Sequence, residues 1–388
     1  MARGGVLVVA YPELIDTLAD LIRINSVNPA YDAAHSEAEI QRFVLDFFKT
    51  REVEAWEQPV LPERPNVIAR LAGRNSSRRI VFEAHCDTAG VKGMVIPPFD
   101  PQVRHGRMYG RGTCDTKAGL AAMMLAVAEL RRSGQEPLCE VWAVSSVGEE
   151  QAFPGVLKLR EGLQAAAAVV SEPTEMRMVV ASKGCVRCRI TVRGKAAHSS
   201  QPHMGVNAIE HMARLVLLLE ESSTHLEVVK HPLVGSPTFN VGVIQGGSQV
   251  NIVPGSCWIE VDRRLVPGED PEKVLGDYGQ LLRDFAGAHP GIEVVIEPRA
   301  LRDLPLETSS DCAVVSCTGR ILREMGLDPS PIGVPFGSDA SKLSAVGIPS
   351  IILGPGSIEQ AHTADEFVEI EQVEKAFVAY RQIMKQFE

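Results

Sequence analysis

Three apolar segments of this chain run directly into ionisable residues. The segments and the residues that follow them are residues 79–84 with His85, residues 140–147 with Gly148-Glu149-Glu150, and residues 165–170 with Ser171-Glu172. Their apolar and β-branched content predicts buried strands, and helical patterns alternate with them along the chain. Such alternation predicts an α/β fold with a mainly parallel sheet. Because ligands bind beyond the carboxyl ends of parallel strands, the sequence predicts that a histidine and several carboxylates meet at one edge of this sheet.

A glycine-rich loop supplies a further carboxylate. Gly110-Arg111-Gly112 leads into a segment rich in alanine, leucine and methionine, residues 116–132, which predicts a buried helix that ends at Gly134. Asp115 therefore stands at a helix entrance, where free backbone N–H groups favour a carboxylate. An ordinary N-cap is one interpretation of Asp115. A metal ligand is the other, and the histidines and carboxylates elsewhere in the chain favour it.

The length and the net charge of the chain limit the classes of protein to which it can belong. A chain of 388 residues exceeds the usual limit of one hydrophobic core, so two domains are expected. The 39 Lys and Arg against 49 Asp and Glu give a net charge of −10, which argues against nucleic acid or a membrane surface as partner. No signal peptide is predicted, because residues 5–10 are too short an apolar run and Tyr11-Pro12-Glu13 follows at once. No membrane span is predicted either, because no stretch approaches the roughly twenty apolar residues that a span requires. We expect a cytoplasmic protein.

The middle of the chain has a different pattern from its ends. From about residue 181 the order of predicted elements is strand, helix, two strands, helix and strand, which is the split-βαβ, ferredoxin-like module. Such a module can close by itself as an inserted domain. The predicted domains are therefore residues 1–180 and 299–388 as two segments of one catalytic domain, with residues 181–298 inserted between them.

The ionisable residues suit a hydrolytic metal site. Histidines and carboxylates without a cysteine cage are typical of catalytic zinc rather than structural zinc. A pair of metals requires one carboxylate that can bridge them, and Asp115 is the natural candidate. Of the neighbours Glu149 and Glu150, one can bind metal while the other takes and returns a proton. Asp87, two residues after His85, is placed to hold that imidazole.

Five motifs together resemble the di-zinc amidohydrolases, which include acetylornithine deacetylase, succinyl-diaminopimelate desuccinylase, aminoacylase and glutamate carboxypeptidase. The motifs lie in order along nearly the whole chain, at residues 81–88, 110–117, 148–150, 171–174 and 361–366. The resemblance implies one zinc on His85, Asp115 and Glu172. It implies a second zinc on Asp115, Glu150 and His362, with Glu149 as general base for a metal-bridging hydroxide. Cobalt and manganese suit the same nitrogen and oxygen ligands.

The resemblance also assigns residues that meet the substrate. It implies that the inserted domain is a lid that forms a homodimer. It also implies that His198 in this domain polarises the substrate carbonyl, commonly from the partner subunit. Asn251 fixes the substrate and Arg264 binds its carboxylate, although Arg263 competes because strand alternation lets only one of the two face the cleft. The substrate-binding loops carry the residues Gly337, Ser338 and Gly354.

The resulting hypothesis is a metal-dependent amidohydrolase that removes the acyl group from an N-acyl amino acid. The alternative is a dipeptidase or carboxypeptidase that takes a short peptide at the same site. A dinucleotide-dependent oxidoreductase does not fit, because Asp115 occupies the place of the third glycine of its fingerprint. A serine hydrolase does not fit either, since no G-x-S-x-G elbow occurs. A non-catalytic relative would be expected to lack Glu149 or a ligand.

Overall fold

The computed structural model describes residues 11–297 and 301–388. They form two compact units. The larger unit comprises residues 11–180, 308–332 and 338–388, and the smaller unit comprises residues 181–297, 301–307 and 333–337. The predicted domain boundary between residues 298 and 299 falls outside the described residues, so the three predicted segments stay a prediction.

The helices and strands of the described residues alternate along the chain. The α-helices are α1 Pro12–Arg23, α2 Ala38–Thr50, α3 Lys117–Ser133, α4 Pro154–Leu159, α5 Ala208–Ser223, α6 Pro271–Ala288, α7 Ala313–Glu324, α8 Ala340–Ser344 and α9 Ile370–Gln386. The strands are β1 Glu54–Leu61, β2 Arg64–Leu71, β3 Asn75–His85, β4 Gln102–Arg104, β5 Arg107–Tyr109, β6 Cys139–Ser146, β7 Ala167–Val170, β8 Val179–Ser182, β9 Gly184–Arg193, β10 Ala197–His198, β11 Thr238–Gly246, β12 Ile252–Val253, β13 Ser256–Leu265, β14 Glu293–Ile296, β15 Leu301–Asp303, β16 Leu306–Glu307, β17 Ile332–Val334, β18 Ser350–Ile352 and β19 Phe367–Glu369. Two short 3-10 helices span Pro202–Met204 and Thr224–Val228.

The larger unit is built on a twisted sheet with the strand order β1-β2-β6-β3-β7-β18. β3 pairs in parallel with both β6 and β7, and β18 pairs in parallel with β7. These central strands are buried on both faces, as expected of parallel strands covered by helices. The predicted mainly parallel α/β sheet is therefore confirmed. The outer hairpin of β1 and β2 is antiparallel, and the sequence analysis did not predict β1.

Helix α3 lies in the core of the larger unit, where it packs against α9 and α1. Most of its residues are buried, and each fully buried leucine or methionine stabilises the fold by roughly 1.5–3 kcal/mol. The helix ends at Gly134 in the left-handed conformation (φ 65°), as predicted. It begins at Lys117 with Thr116 as N-cap residue, so the interpretation of Asp115 as an ordinary N-cap is wrong. The packing of α3 instead fixes the loop that carries Asp115.

The smaller unit has the predicted ferredoxin-like architecture. Its sheet has the order β11-β13-β9-β14 with every neighbouring pair antiparallel, and α5 and α6 join the strands in the order strand, helix, two strands, helix, strand. Its core is separate from that of the larger unit and is made by residues such as Ile190, Leu215, Ile259 and Leu282. A module with its own closed core can form an inserted domain.

The cysteines form no disulfide framework in this structure. All eight have free thiols. Cys185 and Cys188 have the spacing of a C-x-x-C motif. Both are buried in β9, and burial raises the pKa of each thiol, that of Cys188 to about 11. Protonated thiols are poor zinc ligands and poor nucleophiles. Among the described helices, none combines the length and the apolar composition needed to cross a lipid bilayer.

Candidate metal centre

The sheet places the ionisable side chains at one edge of the larger unit. His85 is the last residue of β3, and it lies opposite Ser146, the last residue of β6. Glu149 and Glu150 follow β6 after a short turn, and Glu172 lies two residues beyond β7. Because β3 pairs in parallel with both neighbours, the three strand ends meet, which is the arrangement that the sequence predicts.

The predicted ligands form two clusters that share Asp115. His85, Asp115 and Glu172 make one cluster, Asp115, Glu150 and His362 make the other, and within each cluster the donor atoms lie within 4.8 Å of one another. Nε2 of His85 is 3.0 Å from Oδ1 of Asp115. Nε2 of His362 is 3.3 Å from Oδ2 of Asp115 and 3.0 Å from Oε1 of Glu150. Asp115 thus turns one oxygen to each cluster.

The donor set fits a pair of divalent metal ions. Each cluster offers imidazole nitrogen and carboxylate oxygen, the ligands that zinc takes in hydrolytic sites. Oε1 of Glu172 is buried and has no hydrogen-bond partner among the described residues. A buried carboxylate oxygen without a partner is unfavourable, and a cation would satisfy it.

The charges of the clusters are strongly coupled. Burial acts to raise the pKa of Asp115, but hydrogen bonds from His362 and His85 outweigh it and lower that pKa. Burial acts to lower the pKa of His85, but Asp115 and Asp87 raise it well above its usual value. The carboxylates of the clusters therefore favour positive charge at the two imidazoles. A dication at the same atoms would supply that positive charge and leave both imidazoles neutral.

Glu149 lies beside the clusters without belonging to either. Burial raises the pKa of its carboxyl group well above the usual value, and the nearby carboxylates of Asp339, Glu150 and Asp115 raise it further. A carboxyl group with a raised pKa can accept a proton and release it again near neutral pH. Burial also raises the pKa of the neighbouring Glu150, but Glu150 hydrogen-bonds to His362 and belongs to a donor cluster, whereas Glu149 belongs to neither.

Asp87 holds more than the imidazole of His85. Nδ1 of His85 hydrogen-bonds at 3.0 Å to the main-chain oxygen of Asp87, whereas the carboxylate oxygen Oδ1 is 3.5 Å away. The carboxylate itself accepts from the backbone N–H groups of Gly148, Glu149 and Glu150 at 2.9–3.1 Å. It therefore fixes the turn that presents both glutamates. Asp87 thus meets the imidazole through both its main-chain oxygen and its carboxylate, and the same carboxylate also holds the turn.

Sequence reasoning missed a partner of this carboxylate. Nδ2 of Asn28 donates to Oδ2 of Asp87 at 2.8 Å, and both residues are buried. The sequence analysis gave Asn28 no role. An asparagine in an Asn-Pro step is typical of a turn, and nothing in the local sequence indicates a contact with a residue 59 positions away.

In the smaller unit, His198 and Asn251 lie side by side. β10 pairs with β12, and the N–H of Ser199 donates to the main-chain oxygen of Asn251 at 3.0 Å. Nδ1 of His198 accepts from the N–H of Ser200 at 3.2 Å and is 2.7 Å from its Oγ. A backbone N–H donates only to an unprotonated nitrogen, so this hydrogen bond favours the tautomer that has its proton on Nε2. His198 is exposed, so its ring is accessible to a ligand.

The two adjacent arginines of β13 differ in exposure. The side chain of Arg263 is buried and donates to Glu269, so it is occupied within its own unit. Arg264 is partly exposed, and its Nε donates to Asp262 at 2.7 Å. Of these two arginines, Arg264 is the one with a guanidinium accessible to a ligand carboxylate. Its predicted role in substrate binding stays a prediction.

The loop residues predicted to bind substrate are tightly packed. Ser338 is fully buried, and its Oγ accepts from the N–H of Ala340 at 3.3 Å. A Cβ atom on Gly337 would lie 2.1 Å from a carboxylate oxygen of Asp303. A Cβ atom on Gly354 would lie 2.5 Å from the main-chain oxygen of Glu172. Close packing therefore explains why glycine occupies both positions. Their contacts with substrate remain a prediction.

Replacing Gly354 with alanine is expected to destabilise the protein by about 1–3 kcal/mol, as overpacking of a buried site does. The new methyl group must displace the backbone of Glu172, so zinc affinity should fall as well. Urea unfolding and a zinc titration measure the two effects. Gly276→Ala in α6 is the control, because a Cβ atom there meets nothing within 4 Å. Wild-type stability of Gly354→Ala would contradict the packing argument.

A parallel α/β unit with two donor clusters that share one aspartate, joined to a ferredoxin-like insertion, defines a metal-dependent hydrolase. The profile of peptidase family M20/M25/M40 matches residues 81–386, and the chain belongs to this family. Enzymes of this family depend on metal, and the chain is a hydrolase that acts on amide bonds.

Relatives with named activities extend over nearly the whole chain. Acetylornithine deacetylase of Myxococcus xanthus is 30% identical over 376 residues, covering 93% of this chain and 94% of the relative. A probable succinyl-diaminopimelate desuccinylase of Staphylococcus aureus (strain MSSA476) is 25% identical over 397 residues, covering 92% of this chain and 93% of the relative.

Solved structures share the fold. A tripeptidase from Staphylococcus aureus subsp. aureus mu50 superposes with a TM-score of 0.80 at 25% identity, covering 96% of this chain and 97% of the other. An M20 family metallo-carboxypeptidase from Sulfolobus solfataricus superposes with a TM-score of 0.79 at 19% identity, covering 97% and 99%. The latter similarity shows the fold alone. Deacylases and peptidases thus share this architecture, so the substrate must be argued from the site.

Proposed function

We propose that this protein uses two zinc ions to remove the acyl group from an N-acyl amino acid. The observation that carries the proposal is the carboxylate of Asp115, which turns one oxygen to each donor cluster. His85, Asp115 and Glu172 would hold one ion, and Asp115, Glu150 and His362 the other. When bound, such ions polarise a carbonyl group and lower the pKa of water to about 7.

The residues around the ions supply the proton transfer. Hydrolysis of an amide requires a group that takes a proton from water and returns it to the leaving amine. Glu149 lies beside the donor clusters and belongs to neither, so its carboxyl group would be free to carry out both steps. Asp87 keeps Glu149 in place through the backbone N–H bond. Burial of Asp115, Glu150 and Glu172 strengthens the electrostatic interactions among these groups.

The smaller unit is proposed to bind the substrate. His198 would donate from Nε2 to the carbonyl oxygen as negative charge develops there, as the donors of an oxyanion hole do. Arg264 would pair with the substrate carboxylate, for which a planar guanidinium is the suitable group. Asn251, next to His198, would fix the orientation of the substrate.

Replacing His198 with alanine is expected to lower kcat by about 10²–10³-fold, the usual effect of removing one oxyanion donor. Zinc content should not change, because the ring belongs to neither cluster. Steady-state kinetics with metal analysis on the same preparation tests this. His203→Ala, a change of the same residue type in the same unit, is the control. A wild-type kcat for His198→Ala would exclude the imidazole from the reaction.

A dipeptidase or carboxypeptidase function is the second candidate. The similarity to a tripeptidase structure at 25% identity supports it, whereas the 30% identity to acetylornithine deacetylase supports the deacylase. Hydrolysis of N-acetylornithine, N-succinyl-diaminopimelate, dipeptides and a tripeptide should be measured side by side on zinc-loaded and then cobalt-loaded protein. If kcat/KM is highest for an N-acyl amino acid, the proposal is supported. If kcat/KM is highest for a peptide, the dipeptidase or carboxypeptidase function replaces it.

We also propose that the smaller unit forms a homodimer. β11 is an outer strand of its sheet, and most of its side chains are exposed. A long unpaired edge strand is a ready partner for a second chain. Sedimentation equilibrium should give twice the monomer mass of 42.0 kDa. A monomer that is fully active would remove the dimer from the proposal.

A further inference from the structure

Glu366 is a fully buried glutamate that no step of the proposed reaction uses. Its Oε1 accepts from the backbone N–H groups of Cys114 at 2.8 Å and Asp115 at 3.1 Å. Its Oε2 accepts from the N–H of Gly112 at 3.0 Å and from the guanidinium of Arg111 at 2.7 Å. Both oxygens of one carboxylate are therefore bound to the loop that carries the shared ligand.

The chain topology explains why Glu366 meets this loop. β5 and β19 pair antiparallel, with Phe367 opposite Tyr109. Glu366 precedes β19 and Gly110 follows β5, and the N–H of Gly110 donates to the main-chain oxygen of Glu366 at 3.1 Å. His362 lies four residues before Glu366 in the same loop. The glutamate therefore joins the two loops that bring Asp115 and His362 together.

The charge of Glu366 is matched to its surroundings. The side chain of Arg111 is only 3% exposed, and it also donates to the main-chain oxygen of Gly90 at 2.9 Å. A buried ion pair of this kind is stable only when its remaining atoms are hydrogen-bonded, as they are on the carboxylate side. A neutral amide in place of Glu366 would turn its NH₂ group toward N–H donors. The loop would then have to move.

We propose that Glu366 is a positioning residue that sets the separation of Asp115 and His362 and thereby the affinity of the cluster formed by Asp115, Glu150 and His362 for metal. The proposal rests on the two-metal site proposed above. Glu366 touches no donor atom of the clusters through its side chain. It acts through the backbone N–H of Asp115 and through the loop that it shares with His362.

A general effect on stability is the competing explanation, and the chain offers a matched control for it. Glu140 is also buried, and its carboxylate accepts from Arg70 at 2.6 Å and Arg79 at 2.7 Å. It lies at the amino end of β6, whereas the metal ligands follow the carboxyl end. Glu140→Gln therefore removes a comparable buried charge away from the donor clusters.

The test is zinc affinity of the full-length protein, measured by competition with a chromogenic chelator, together with kcat and KM. Glu366→Gln should weaken binding of one zinc by about 10–100-fold, the usual effect of changing a residue that orients metal ligands. Its kcat should fall with KM little changed, and excess zinc should restore part of kcat. Glu140→Gln should lower the unfolding temperature while zinc affinity stays at the wild-type value.

Wild-type zinc affinity in Glu366→Gln would overturn the inference, and so would an equal loss of affinity in Glu140→Gln. If Glu366→Gln does not fold, Glu366→Asp carries the same test. The aspartate keeps the charge beside Arg111 but is one methylene too short to reach the N–H groups of Cys114 and Asp115. A wild-type protein that binds no zinc would instead remove the proposed metal site itself. The two failures are thus distinguishable.

Discussion

Replacing Glu149 with glutamine is expected to lower kcat by about 10²–10⁴-fold, the usual contribution of a positioned general acid–base group. The amide has nearly the same shape as the carboxyl group but cannot take a proton from water. Zinc content should stay at the wild-type value, because Glu149 belongs to neither donor cluster. The substitution thus removes the proton-accepting carboxylate and leaves the rest of the site unchanged.

The measurement is single-turnover hydrolysis with metal analysis of the same sample. Glu161→Gln is a suitable control, since this exposed glutamate of the larger unit pairs only with Lys158 among the ion pairs of the described residues. The control should retain the wild-type kcat. Retained turnover in Glu149→Gln would exclude Glu149 as the group that transfers the proton. A loss of zinc together with turnover would identify Glu149 as a ligand instead.

Replacing Asp115 with asparagine is expected to lower zinc content from two ions per chain to one or none, and to lower kcat/KM by more than about a hundredfold. Asparagine keeps one oxygen, and its NH₂ group cannot act as a ligand for the other cluster. The shared position of Asp115 makes this effect larger than that of any ligand that belongs to a single cluster.

Glu172→Gln provides the comparison. It changes one cluster only, so one zinc ion per chain should remain bound. Zinc content by atomic absorption after gel filtration, with hydrolysis measured on the same fractions, separates the two variants. Two tightly bound zinc ions in Asp115→Asn would contradict the sharing of this carboxylate.

The sequence alone predicts the sheet and the gathering of the ligands well, for a physical reason. Strands of four to eight apolar residues are recognisable locally, and parallel pairing brings their carboxyl ends together whatever the intervening helices are. His85, Glu150 and Glu172 could therefore be placed near one another from strand ends alone. The ferredoxin-like insertion is also predictable, because its six elements are regular and follow one another along the chain.

Contacts between distant residues explain what the sequence could not predict. The carboxylate of Asp87 holds a turn 61 to 63 residues away, and no local sequence pattern indicates these hydrogen bonds. The four side-chain hydrogen bonds of Glu366 also depend on strand pairing across more than 250 residues. β1 was missed because an edge strand with alternating partial exposure lacks a strong apolar run.

The most direct test of the shared aspartate is anomalous scattering at the zinc absorption edge from crystals of the zinc-loaded protein. We predict two peaks for each chain, one on either side of the Asp115 carboxylate, with His85 beside one peak and His362 beside the other. A single peak, no peak, or peaks remote from Asp115 would contradict it.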